Sequence, residues 1–179
     1  MLKNTSSQYG WLSIAVHWLV AVAVFGLFAA GFWMVDLSYY SSWYRTAPYW
    51  HKSVGILLAI VMLLRLLWRV ISPAPKALAT HKRWEKQTAT LVQFALYFGI
   101  LLLVVSGYLI STEDGRPIAV FDWFEVPALG ALFAAQADIA GSVHEYVAYS
   151  VISLAVLHSL AALKHHFIDK DHTLKRMFG

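Results

Sequence analysis

The stretch SVHEYVAYSVISLAVLHSLAAL, residues 142–163, decides the fold. It carries a single acidic residue, Glu145, near its start, and no Lys or Arg. About 20 apolar residues cross a hydrocarbon core roughly 30 Å thick, so the stretch reads as a membrane-spanning helix. His144 and His158 lie 14 positions apart within it. That spacing is about 1,400° of helical rotation, roughly 40° short of four full turns, so the two share a face. At about 1.5 Å per residue they are separated by roughly 21 Å along the axis, too far for one metal ion. Ionisable residues inside a span are costly and by default point to function. Two on one face imply two sites stacked at different depths.

Working outward, three more stretches are long and apolar enough to span: about Trp11–Val35, Trp50–Ile71 and Thr90–Ile110. The predicted fold class is all-α, a transmembrane four-helix bundle forming a single domain over residues 1–179. Composition agrees: 59% of residues are hydrophobic and 13% charged, against about 25% charged in soluble domains. The first stretch has a basic residue before it, Lys3, and small residues at Ala29, Ala30 and Gly31, as a signal peptide would. Its apolar run is longer than a signal core, so it reads as retained. Cysteine is absent, which excludes disulfides, thiolate-held clusters and covalently attached c-type haem.

The basic residues report topology. Lys3, six residues from Arg65 to Lys86, and Lys164, Lys170, Lys175 and Arg176 make 11 on one side. Arg45, Lys52 and Arg116 make three on the other. This bias predicts a multi-pass protein of the bacterial inner membrane with both termini cytoplasmic. It also argues against nucleic acid as a partner, because the charge flanks spans rather than covering one face. Seven of the ten acidic residues fall on the outer side. Ser72-Pro73-Ala74-Pro75 ends the second span. The connection Ser111–Gly141, with Phe121, Trp123, Phe124 and Phe133, is expected on the outer interface.

Four of the eight histidines fall in spans, and they match by depth. His17 lies six residues after Trp11, and His158 six before Lys164. Both are about 9 Å in from the cytoplasmic side. His51 and His144 lie one and two residues into their spans from the outside. The expected pairs are therefore His17 with His158 and His51 with His144. Two imidazoles at one level on facing helices suit the axial ligation of a b-type haem. The residue four positions after each histidine is small: Ala21, Gly55, Ala148 and Ala162. Bare helix packing also favours small residues. Two histidines alone do not complete a tetrahedral zinc site. With both axial positions filled, the expected chemistry is electron transfer rather than oxygen activation.

Secondary candidates are more open. Arg65 lies 14 residues after His51 and should sit below it near the inner level. It reads either as a counter-ion to a haem propionate or as a snorkelling arginine. His165, seven residues past His158, could meet a quinone head group or a propionate, or be an exposed tail histidine. Lys52 and Arg116 could face propionates or an anionic substrate at the outer level. His81, His166 and His172 fall outside the spans.

Ile14–Leu19 around His17, Trp50–Gly55 around His51, Val143-His144-Glu145, Leu157-His158 and the tail His165–Asp171 together resemble the bacterial cytochrome b561 family over essentially the whole chain. Leu37–Tyr40 and Thr173–Met177 are especially similar to an enterobacterial branch of unassigned role. The resemblance implies two haems b, ligated by His17, His51, His144 and His158, exchanging electrons with ubiquinone. One branch of the family is credited with passing electrons from superoxide to ubiquinone. Relatives of the closer type are associated with a periplasmic lipocalin-like protein that binds isoprenoid quinone. The expected function is thus transfer of electrons between a periplasmic-side donor, superoxide included, and the ubiquinone pool, by an oxidoreductase embedded in membrane lipid. The alternatives are a haem-bearing anchor or relay subunit for a separate redox enzyme, and a non-redox membrane protein with structural histidines.

Overall fold

The computed structural model describes residues 1–179. Four helices form the body: α1 Trp11–Val35, α2 Thr46–Ile71, α3 Arg83–Thr112 and α4 Gln136–Phe167. Each is long and apolar enough to cross a membrane. Helix α1 matches its expected bounds. The others run further: α2 begins at Thr46 rather than Trp50, α3 covers Arg83–Thr112, and α4 covers Gln136–Phe167. The extensions are polar or mixed turns that hydropathy does not register. Pro48 falls in the first turn of α2, where a missing N–H costs no helical bond. Glu85 caps the start of α3 by accepting from the Lys82 backbone N–H at 2.8 Å.

Helices α1 and α2 pack closely as one pair and α3 and α4 as another. The pairs meet at an apolar waist of Val20, Leu58, Met62, Ile100 and Val151. A Cβ on Gly99 would overlap the Val151 side chain, so glycine there lets α3 and α4 close up. The lipid-facing surfaces remain covered in exposed Leu, Val, Phe and Trp.

The connection after α3 contains an element absent from the sequence expectation. Strands β1 Ile118–Val120 and β2 Phe124–Val126 pair antiparallel as a hairpin. Its turn holds Phe121 and Asp122 at φ 46° and 58°. Asp tolerates that region, whereas Phe needs outside support. Phe121 finds it against the Trp50 ring, with centroids 4.9 Å apart. Its N–H also donates to Ser53 Oγ at 3.3 Å, and Ser53 Oγ donates to Ala119 O at 3.3 Å. The hairpin is thereby fastened over the start of α2. Tyr108 donates to Pro127 O at 2.7 Å, and buried Gln136 bonds Leu109 O and the Leu132 N–H, tying the rest of the connection down.

The opposite end is closed by both termini. Asn4 bonds the Ser72 hydroxyl and carbonyl, and Lys76 donates its N–H to Ser6 O. Past α4 the tail turns back and ends in a 3-10 turn, Lys175–Met177. Trp18 on α1 donates its indole N–H to Met177 O at 2.8 Å and packs on Phe178.

Candidate functional site

Four imidazoles meet in two pairs, above and below the apolar waist. Nearer the termini, the rings of His17 and His158 have centroids 6.3 Å apart and planes inclined by 63°. Nearer the hairpin, those of His51 and His144 are 6.2 Å apart and inclined by 67°. Helix α4 supplies one member of each pair, α1 and α2 the others, and α3 none.

These separations bear on which group could be held. An imidazole–metal bond is about 2.0–2.1 Å long. A ring centroid lies roughly 1.1 Å behind its coordinating nitrogen. Two imidazoles sharing one metal ion along an axis would then have centroids about 6.3 Å apart, by that bond length. Both levels match that spacing, and each offers two nitrogen ligands with no carboxylate. The set suits an ion whose remaining positions are supplied by a ring such as haem.

The surroundings of the two levels differ. At the inner level Arg65 Nη2 lies 3.1 Å from His17 Nδ1, and the guanidinium stands over the Tyr97 ring at 5.5 Å. Arg65 thus reaches the depth expected from its phase with His51. At the outer level the partner is neutral. Ser106 Oγ is 2.6 Å from Leu102 O, to which it donates, and 3.0 Å from His144 Nδ1, from which it accepts. That leaves Nε2 of His144 with its lone pair. His51 Nδ1 is buried without a hydrogen-bond partner.

Glycines back the outer rings. A Cβ on Gly107 would lie 3.2 Å from His144 Cε1, and one on Gly31 would lie 3.4 Å from His51 Cε1. Gly55, one of the small residues noted in sequence, faces open space: a Cβ there meets nothing within 4 Å. Ser106, Gly107 and Gly31 are additions that sequence reasoning missed. A lone serine directly after the apolar run Leu101–Val105 was the available signal.

The other sequence candidates are distributed elsewhere. Lys52 follows His51 on α2 and sits within range of Asp114, whose carboxyl is held below its ordinary value chiefly by hydrogen bonds from Arg116. Arg116 is engaged with Asp114, its Nε 2.6 Å from Oδ2, and its side chain is exposed. His165 lies with His81, Asp169 and Asp171 beyond the end of the inner level.

A family model described as prokaryotic cytochrome b561 matches residues 8–179. Cytochrome b561 homolog 2 of Escherichia coli K12 is 54% identical over 176 residues, covering 98% of this chain and 94% of the relative. Cytochrome b561 homolog 1 of the same organism is 26% identical over 171 residues, covering 96% and 97%. A protein of Yersinia pestis named probable superoxide oxidase CybB is 28% identical over 175 residues, covering 95% of each chain.

Proposed function

This chain belongs to the prokaryotic cytochrome b561 family of membrane electron-transfer proteins, which implies haem b binding, and from that premise we propose that it carries two haems b and moves electrons between a periplasmic-side donor and the ubiquinone pool. His17 with His158 and His51 with His144 would hold the two haems. The observation that carries this reading is the twin ring spacing of 6.3 and 6.2 Å on one shared helix. With two histidines at each level to hold it, bound haem b would supply one-electron transfer. The excess of Lys and Arg at the termini end supports an orientation with that end in the cytoplasm and the hairpin in the periplasm.

The chain's own residues set the ligand geometry. Ser106 accepts the Nδ1 hydrogen of His144 and fixes the tautomer that leaves Nε2 free to coordinate. At the inner level the present contact is different. Arg65 can only donate, so His17 Nδ1 accepts and the ring hydrogen sits on Nε2. If His17 held a metal through Nε2, its ring hydrogen would sit on Nδ1, and the guanidinium would be left to pair with an anionic acceptor. A haem propionate is such an acceptor, which supports the counter-ion role for Arg65. Superoxide enters the proposal through the name of the Yersinia pestis relative.

The test is optical. Purified protein is expected to show a b-type α band in its reduced-minus-oxidised spectrum. Superoxide alone should reduce it, and added ubiquinone should reoxidise it. No α band overturns the haem assignment. A band that neither superoxide nor ubiquinol can raise leaves an anchor subunit that relays electrons for a separate enzyme.

A further inference from the structure

Only three acidic residues lie at the termini end of the molecule: Glu85, Asp169 and Asp171. They share that end with 11 Lys and Arg residues, enough to pair each carboxylate separately. Instead all three converge on one imidazole, His165. Its Nδ1 lies 2.8 Å from Asp169 Oδ2 and 3.2 Å from Asp171 Oδ2. His81 Nε2 lies 2.9 Å from the same Asp171 oxygen, and the His81 and His165 rings are 4.5 Å apart. Of the basic residues only Lys164 enters, 3.1 Å from Glu85 and 2.6 Å from Asp169. Three carboxylates against one ammonium leave two negative charges without a lysine or arginine partner.

Asp171, His165 and His81 are largely enclosed, whereas Asp169 is exposed. Side-chain exposure is 8% for Asp171, 14% for His165 and 16% for His81. His165 Nδ1 makes no hydrogen bond although two carboxylate oxygens lie within 3.2 Å, because neither is aligned with its ring N–H direction. A buried polar nitrogen without a partner calls for an explanation.

We propose that His81, His165 and Asp171 form a three-residue binding site for a divalent transition-metal ion, zinc by the chemistry of its ligands, with water completing the coordination. Their candidate ligand atoms, one each from His81, His165 and Asp171, lie within 4.8 Å of one another. Edges of a zinc tetrahedron with bonds of about 2.0–2.1 Å are roughly 3.3 Å, and the two imidazole–Asp171 contacts, 2.9 and 3.2 Å, are close to that length. Two imidazole nitrogens and a carboxylate oxygen favour zinc over magnesium or calcium, which take oxygen alone. The dication would balance the two surplus negative charges. It would also join three parts of the chain: the approach to α3, the end of α4, and the tail that continues to Met177 against Trp18.

The test uses the full-length protein in detergent, stripped with a chelator and titrated with Zn2+ against a chromogenic competitor. One equivalent is expected to bind saturably, with two imidazoles in its zinc K-edge absorption spectrum. A 100-fold excess of Mg2+ should not displace it. His81→Gln and Asp171→Asn should each weaken binding at least tenfold, while His172→Gln should not. Absence of a saturable equivalent in the parent protein overturns the proposal without need of any variant. So does a bound zinc with fewer than two imidazoles, displacement by Mg2+, or variants that bind as the parent does. Thermal destabilisation by His81→Gln in a protein that binds no zinc would identify the cluster as a polar latch only.

Discussion

The two histidine levels are alike in their paired imidazoles and unlike in what surrounds them. Ring separations differ by 0.1 Å and inclinations by 4° between 6.3 Å, 63° and 6.2 Å, 67°. Yet the inner pair is approached by the Arg65 guanidinium, and the outer pair by the Ser106 hydroxyl and two glycines. Their closures differ too. Neutral hydrogen bonds fasten the hairpin over the outer level, whereas charged and imidazole side chains gather where the tail crosses the inner end. The lesson is that spacing along one helix can repeat a ligand pair, while the neighbours set each centre apart.

The hardest way to break this comparison is to remove a ligand. His51→Ala should cost the outer haem and His17→Ala the inner, each lowering the pyridine-haemochrome ratio from about two per chain to about one. Loss of both from either variant would mean that the levels are not independent. Next is the waist they share. Gly99→Ala places a methyl against Val151 on the helix that serves both levels. Overpacking typically costs about 1–3 kcal/mol, so thermal unfolding should come earlier and both haems should loosen together.

Two subtler variants sharpen the contrast, because their shifts should have opposite signs. A nearby cation disfavours the oxidised, more positive centre. Arg65→Gln should therefore lower the inner midpoint by on the order of 60 mV, a tenfold change in a one-electron equilibrium. The outer midpoint should stay put. Ser106→Ala removes the acceptor of the His144 ring hydrogen and makes that ligand less electron-donating. The outer midpoint should rise by roughly 20–60 mV, the scale of one hydrogen bond of about 0.5–1.5 kcal/mol. Potentiometric titration with separate assignment of the two centres reads both; shifts of the same sign would undo the distinction.

Much of this was legible in the sequence, for a physical reason. Hydropathy runs mark spans because lipid requires them, and the 14-residue interval in α4 carries both levels on one face because helical rotation is regular. Depth could then be counted from helix ends. What stayed hidden depends on partners brought together by packing. Ser106 meets His144 from 38 positions away, and His81 meets Asp171 from 90. No periodicity announces such contacts. The hairpin was missed because its strands are three residues each and its turn relies on Trp50 and Ser53 of another helix to hold Phe121 in place. His165 was legible as a position one helical repeat past His158, but its neighbours Asp169 and Asp171 come from a tail that folds back.

The waist of Val20, Leu58, Met62, Ile100 and Val151 has an energetic consequence of its own. None of these five side chains carries a group along which a proton could hop, although Tyr97 packs against them. An electron tunnelling between the two levels would therefore cross part of the membrane's electric field uncompensated. A full crossing exchanges about 2.3 kcal/mol for every 100 mV of potential. Inward flow runs uphill against an interior that is negative, and a cationic side chain beside the inner centre tilts the midpoints the other way. The carrier would then be a voltage-sensitive element whose rate reports, and responds to, the energised state of the bilayer.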